Sequence, residues 1–199
     1  MNVIALSSKI CRDLKVMSKT NISATKLLPD NQIYEKLLRL FGFRIDPETE
    51  VPNLYTLVVY GEQEPPLVAG GQLVFFTRPE LAINALQLCD IDISEVGKPP
   101  TEIDAICDIA ETLYLLDAED FDESATILNC LNPLFDLVKA TLIPMPTEYK
   151  RILYAFADHL NIEEEFASFL DEEDIQRSEI VNALLWCVGA ITAKSRLLT

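Results

Sequence analysis

Histidine, glycine and basic residues are scarce in this 199-residue sequence, and each shortage limits what it can do. The single histidine is His159, so any Ser-His-Asp or Cys-His catalytic arrangement would have to use it. His159 lies near the end of a predicted helix, where it suits the helix dipole without any catalytic role. One histidine also argues against a catalytic zinc site. The sequence therefore favours a non-enzymatic function but leaves an enzymatic one open.

The glycines and cysteines do not form the spacings of known binding motifs. Gly70 and Gly71 are not followed by Gly-Lys-Ser/Thr, and no G-x-G-x-x-G occurs, so a nucleotide-binding loop is not predicted. The five cysteines are Cys11, Cys89, Cys107, Cys130 and Cys187. None forms a C-x-x-C pair, which favours reduced core thiols over zinc ligands or a disulfide framework. No cofactor and no metal are expected.

Long uncharged apolar runs are also missing. No stretch of about 18 such residues occurs, so no transmembrane helix is predicted. The first eight residues lack the basic and apolar regions of a signal peptide. The sequence is therefore expected to be cytoplasmic and to bind no membrane.

Acid outnumbers base by 32 residues to 16, and the excess is concentrated in two blocks. Residues 90–123 hold twelve acids and only Lys98, and residues 158–174 hold eight acids and no Lys or Arg. Residues 1–44 are instead basic, with eight Lys and Arg against three acids. Acidic blocks repel phosphate, so binding of nucleic acid is not expected.

Two aromatic, β-branched runs predict strands at residues 54–60 and 72–77. They are expected to pair as antiparallel strands across the turn segment 61–66. A helix is predicted over residues 30–41, because Ile33, Leu37, Leu40 and Phe41 recur at helical spacing. Thr77 and Glu80 have the spacing of a capping box for the next helix. The passage Gly71–Glu80 resembles small bacterial modules of secretion-associated and immunity-type proteins, and no functional residue is carried over from them.

The second half of the sequence predicts helices almost throughout residues 101–196. A helix over 101–117 has a Thr101/Asp104 capping box, and others are expected over 122–143, 147–160, 161–170 and 175–196. Pro133 predicts a kink or break in the second of these. The predicted fold class is α+β, with a small antiparallel sheet in the N-terminal half followed by a mostly helical C-terminal half. The Pro-rich segment 96–100 suggests a boundary between 1–97 and 101–199, or a turn within one continuous domain.

Three acids on the predicted helix 101–117 form the candidate site. Asp104, Asp108 and Glu111 are placed opposite its apolar face and would be exposed together. The favoured hypothesis is a non-enzymatic interaction protein, of the immunity or inhibitor kind, that uses these acids to bind a basic protein partner. The alternatives are a small-molecule-binding or enzymatic domain with its site between sheet and helices, and a structural subunit of an assembly. The sequence indicates no oligomeric state.

Overall fold

The computed structural model of the protein describes residues 38–59, 65–118, 124–162, 168–170 and 175–199. All of them belong to one compact unit, Lys36–Thr199. Within these ranges no helix combines the length and the apolar character needed to cross a membrane.

Strands from both halves of the chain form one mixed sheet. The strands are β1 (Leu38–Arg44), β2 (Leu54–Val59), β3 (Val68–Ala69), β4 (Gln72–Phe76), β5 (Ala105–Asp108) and β6 (Ser195–Leu198). Their order is β3-β4-β2-β1-β5, and β6 pairs with β4. The β1–β2, β2–β4 and β3–β4 pairs are antiparallel, whereas β1–β5 and β4–β6 are parallel. The α+β class and the pairing of the two predicted strands are confirmed, but the sheet is not purely antiparallel.

Helices cover both faces of this sheet. Their bounds are α1 (Ala82–Leu88), α2 (Ile93–Val96), α3 (Ile109–Asp117), α4 (Ser124–Thr141), α5 (Thr147–Ile162) and α6 (Arg177–Ala193). A single 3-10 turn, Pro79–Leu81, precedes α1, and residues 168–170 are also helical. The predicted helices at 122–143, 147–160 and 175–196 are thus confirmed with small shifts in their ends. α4 runs through Pro133 without a break.

The side chains of β1 and β4 alternate between two separate cores. Phe43 of β1 and Phe75 of β4 pack against the long helices, and we call this side of the sheet the helical face. Leu40 and Phe76 point the other way and pack with α1, and we call that side the opposite face. Each fully buried Leu or Phe stabilises the fold by about 1.5–3 kcal/mol relative to an exposed position. Burial of apolar side chains on both faces of the sheet therefore stabilises the packing of the helices against it.

The predicted helix over residues 30–41 is wrong where it can be compared. Residues 38–41 belong to strand β1, and residues 30–37 lie outside the described residues. A strand covered on both faces reads as a nearly continuous apolar run, because both sets of alternating side chains are buried. Such a run can match helical spacing by coincidence, and that happened here.

The predicted helix over residues 101–117 is half wrong. Ala105–Asp108 is a strand paired in parallel with β1, and the helix begins only at Ile109. Its N-cap is Asp108, whose Oδ1 accepts a hydrogen bond of 2.9 Å from the Glu111 backbone N–H, so Thr101 and Asp104 do not cap it. Pairing with a distant strand has overridden the local helical pattern.

Two further expectations are corrected. Strands β5 and β6 lie beyond residue 101, so that half is not almost wholly helical. The Thr77/Glu80 capping box is absent, since the 3-10 turn follows Arg78, which makes no side-chain capping bond. The capping box that does form joins Gln176 and Glu179 at the start of α6. The domain boundary at 96–100 stays a prediction, although strands from both sides of it share one sheet.

Candidate functional site

The structure gives each of the three acids predicted as a binding surface an internal partner, and it brings Asp108 and Glu111 together on the same one. Asp108 and Glu111 both bind Arg44 at the end of β1: Asp108 Oδ2 lies 2.6 Å from Arg44 Nε, and Glu111 Oε2 lies 3.1 Å from a terminal nitrogen. A third guanidinium nitrogen donates to the Thr49 carbonyl at 3.0 Å. Arg44 therefore fastens β1 to the junction of β5 and α3.

The two carboxylates also change the ionisation of Arg44. The hydrogen bond that Arg44 donates to Asp108 raises the pKa of Arg44 above its ordinary value, burial opposes this, and the charges of Asp108 and Glu111 add to the rise. An arginine side chain stays protonated in proteins in any case, so the guanidinium keeps its positive charge. Its side chain is 15% exposed, so the ion pairs are partly shielded from water.

Asp104 has a separate role on the same edge of the sheet. Its Oδ2 accepts a hydrogen bond of 2.9 Å from the backbone N–H of Leu40, and its own backbone N–H donates to the Leu40 carbonyl at 2.8 Å. Asp104 thereby starts the pairing of β5 with β1. The premise that the three acids line the outer face of one helix is wrong, since Asp104 precedes β5 and Asp108 ends it.

His159 lies in a pair that has the residue types of a catalytic dyad. Its Nε2 is 3.0 Å from Ser168 Oγ, and its ring packs 5.3 Å from the ring of Phe169. Neither cavity described for the protein is lined by these residues. Within the described ranges, moreover, no group of three or more Cys, His, Asp or Glu residues is arranged to hold a metal ion.

The feature that could hold a ligand is an apolar cavity of about 270 Å³ between the helical face and helices α4 and α6. Interiors are normally packed as densely as organic crystals, with few voids larger than one water molecule. Its walls come from the sheet, from α4, from α6 and from the start of α3. The lining residues are Phe43, Ile45, Leu54, Phe75, Ile109, Leu134, Leu137, Val188, Ile191, Thr192, Ser195 and Leu197.

The cavity has a buried floor and a solvent-facing mouth. Phe75, Leu137 and Ile191 on the floor are each at most 7% exposed, whereas Ile45 and Leu197 at the mouth are 41% and 49% exposed. A ligand could therefore enter beside the ends of β1 and β6 without any helix moving.

The polar atoms in the cavity wall are already engaged. Thr192 Oγ1 donates to the Val188 carbonyl at 2.7 Å, and Ser195 Oγ donates to the Ile191 carbonyl at 2.6 Å. None of the residues lining the cavity is titratable. The wall can therefore bind apolar surface, but it offers no side chain for acid–base or nucleophilic chemistry.

The apolar spacing within the predicted helix 175–196 predicts that Val188 and Ile191 face inward, but it gives no reason to expect a void beside them. Both side chains do face inward. An apolar residue that lines a cavity has the same sequence pattern as one that fills a core, so no sequence signal separates the two.

Comparison with known proteins leaves the site to be interpreted on its geometry alone. No protein family, no curated protein and no solved structure matches the chain.

Proposed function

We propose that this protein binds a small apolar ligand in the cavity between the helical face and helices α4 and α6. The cavity of about 270 Å³ carries this proposal. An engineered apolar cavity of about 150 Å³ in another protein stays dry and binds benzene, so a larger one accommodates a bicyclic ring or a short acyl chain. This proposal corresponds to one of the alternatives stated from the sequence, a small-molecule-binding domain with its site between the sheet and the helices.

The chemistry of the wall favours binding over catalysis. Small-molecule sites are largely apolar and use a few polar groups to orient the ligand. Here the hydroxyls of Thr192 and Ser195 are bonded to helix carbonyls, so the ligand would be held chiefly by burial of its apolar surface. At about 25 cal/mol per Å² of apolar surface removed from water, the affinity would depend on ligand size rather than on a particular functional group.

Calorimetric titration with the neutral probe N-phenyl-1-naphthylamine tests this proposal on the full chain. Wild type should bind one probe per chain. Val188→Trp places an indole in the cavity and should weaken binding at least tenfold. Leu185→Trp is the matched control, because Leu185 lies one turn earlier on α6, is 48% exposed and does not line the cavity. Equal binding by both variants, or no saturable binding by wild type, would refute the proposal.

A second function, recognition of a basic protein partner, keeps support from a different surface. Between α1 and β5 the acids Asp90, Asp92, Glu95, Glu102 and Asp104 are exposed, and the only base in that stretch is Lys98. We infer that the first four of these, rather than Asp104, Asp108 and Glu111, whose carboxylates have internal partners, would steer a cationic partner at low salt. Asp92 should be kept, because its side chain caps α2 through the Ser94 N–H at 2.8 Å.

Stopped-flow association with an oligolysine probe tests this second function. The triple variant Asp90→Asn, Glu95→Gln, Glu102→Gln should slow association severalfold and flatten its salt dependence. Because the chain has a formal charge of −16, a control must remove the same charge elsewhere. The exposed acids Glu50, Asp117 and Asp158 serve, converted to Gln, Asn and Asn. If the two triple variants associate at the same rate, this segment is not a binding surface.

A further inference from the structure

Two cysteines from distant parts of the chain bring their sulfur atoms into contact inside the helical-face core. Cys107 Sγ on β5 lies 3.1 Å from Cys130 Sγ on α4, and 3.5 Å from the Cys130 carbonyl oxygen. Both side chains are at most 1% exposed. The pair therefore bridges the edge strand of the sheet and the helix that covers it.

Burial keeps the Cys107 thiol protonated, and Cys187 is another cysteine close to the pair. Burial raises the pKa of Cys107 well above its ordinary value, and the neighbouring Cys130 thiol adds to this rise. Cys187 on α6 is close enough to be affected by Cys130, and burial is the main cause that raises its pKa to about 12. Cys89, only half-buried, belongs to the opposite face.

The two sulfur atoms are in contact, and the described part of the chain holds no cluster that could bind a metal ion. Formation of a disulfide is therefore the reaction that this arrangement favours. We propose that Cys107 and Cys130 are a covalent modification site, at which oxidation by a peroxide forms a disulfide that joins β5 to α4. One sulfur, as a thiolate, attacks a peroxide oxygen and becomes a sulfenic acid while hydroxide leaves. The second sulfur attacks the sulfenic sulfur and displaces hydroxide. Two thiols and one hydrogen peroxide thus give one disulfide and two waters.

The distance between the two sulfurs and the pKa of the thiols determine how readily this reaction occurs. A disulfide needs its sulfurs about 2.05 Å apart, so the two sulfur atoms must approach each other by roughly 1 Å. Because only the thiolate reacts, the rate should rise about tenfold for each pH unit below the thiol pKa. The bond would close the loop that contains α3, and should raise the Tm by about 6–12 °C.

Peptide mapping of the full-length protein tests the proposal. The native protein is treated with hydrogen peroxide at pH 8.5, unfolded, alkylated with iodoacetamide and digested. The peptides containing Cys107 and Cys130 should be recovered joined, lighter by two hydrogens, while Cys89 and Cys187 are not joined to them. Cys187→Ala should give the same product, Cys130→Ala should not, and dithiothreitol should reverse the rise in Tm.

Three results would overturn it. Cys107 could be recovered joined to Cys187 instead of Cys130. Both thiols could remain fully alkylatable after peroxide treatment of the folded protein. The cross-link could also form only when denaturant is present during oxidation, which would show that native proximity is not its cause. The wild-type map alone decides between these outcomes, so the test does not depend on either variant folding.

Discussion

The two faces of the sheet are packed to different tightness although both are apolar. On the opposite face, a Cβ added at Gly42 would lie 2.7 Å from Pro52 Cγ, so not even a methyl group fits. On the helical face, by contrast, a cavity of about 270 Å³ lies beside Phe43, the residue next to Gly42. The larger core is therefore the looser one. Tightness here depends on how closely a neighbouring segment approaches the strand, not on how many apolar side chains are available.

Truncation of two leucines on the same helix should show the largest effect of this difference. Leu131 and Leu137 of α4 are both nearly fully buried, but only Leu137 lines the cavity. Leu131→Ala should lower the free energy of unfolding by about 3–4 kcal/mol. Leu137→Ala should cost only about 2 kcal/mol, because part of its side chain already faces a void and has fewer packing contacts to lose. Urea unfolding followed by circular dichroism measures both, and equal costs would mean that the cavity is filled.

Alanine at two glycines tests the tight face against open space. Gly42→Ala should destabilise the protein by about 1–3 kcal/mol, because the new methyl overlaps the ring of Pro52. Gly189→Ala on α6 meets no atom within 4 Å and should stabilise the protein by about 0.5–1 kcal/mol. The same unfolding measurement applies. A tolerated Gly42→Ala would contradict the close approach of Pro52.

Arg44 ends β1, two residues after Gly42, and its ion pairs are partly shielded from water. They should therefore stabilise the fold more than an exposed ion pair does. Asp108→Asn keeps the cap of α3 but removes the carboxylate charge that pairs with Arg44, and should cost about 1–2 kcal/mol. Glu148→Gln removes an exposed bond of 2.9 Å to Arg151 within one turn of α5, and should cost at most about 0.5 kcal/mol. Chemical unfolding of both variants gives the comparison. If Glu148→Gln costs as much, then the shielding of Arg44 has no energetic consequence.

The smallest expected effect lies at the end of α4. Leu142 has a backbone φ of 60° and is 78% exposed. The left-handed conformation costs a residue with a Cβ about 1–2 kcal/mol, while glycine adopts it freely but loses more chain entropy on folding. Leu142→Gly should therefore stabilise the protein by about 0.5 kcal/mol. Leu185→Gly, inside α6, should instead destabilise it by about 1 kcal/mol, and the opposite order would show that Leu142 makes packing contacts.

A helix or strand of this protein can be predicted from the sequence when the residues that cause it to form lie within the element itself. The three long helices α4, α5 and α6 were predicted because their apolar spacing persists for several turns, which is a local signal. Strands β1, β5 and β6 were missed, because each is a short segment that becomes a strand through pairing with a partner far along the chain. The predicted fold class is correct despite these errors.

The candidate site follows the same rule. The acids Asp108 and Glu111 were predicted to be exposed because they fall opposite the apolar face of a predicted helix, but Arg44, their partner, precedes Asp108 by 64 residues. Long-range pairing of this kind does not show in a single sequence. The cavity is harder still to predict, because its volume depends on the positions of α4 and α6 to within about an ångström.

The parallel pairing of β4 with β6 also has a consequence for how the chain is made. Leu73 pairs with Ser195, so the outer edge of β4 cannot receive this strand until about 120 more residues have been synthesised. At about 5–20 residues per second this takes roughly 6–24 seconds. Throughout that time the segment Gln72–Phe76, with its two adjacent phenylalanines, lacks one of its neighbours while other nascent chains are close by. An unpaired apolar strand edge is a template for aggregation, so the yield of folded protein should be sensitive to translation speed between residues 76 and 195.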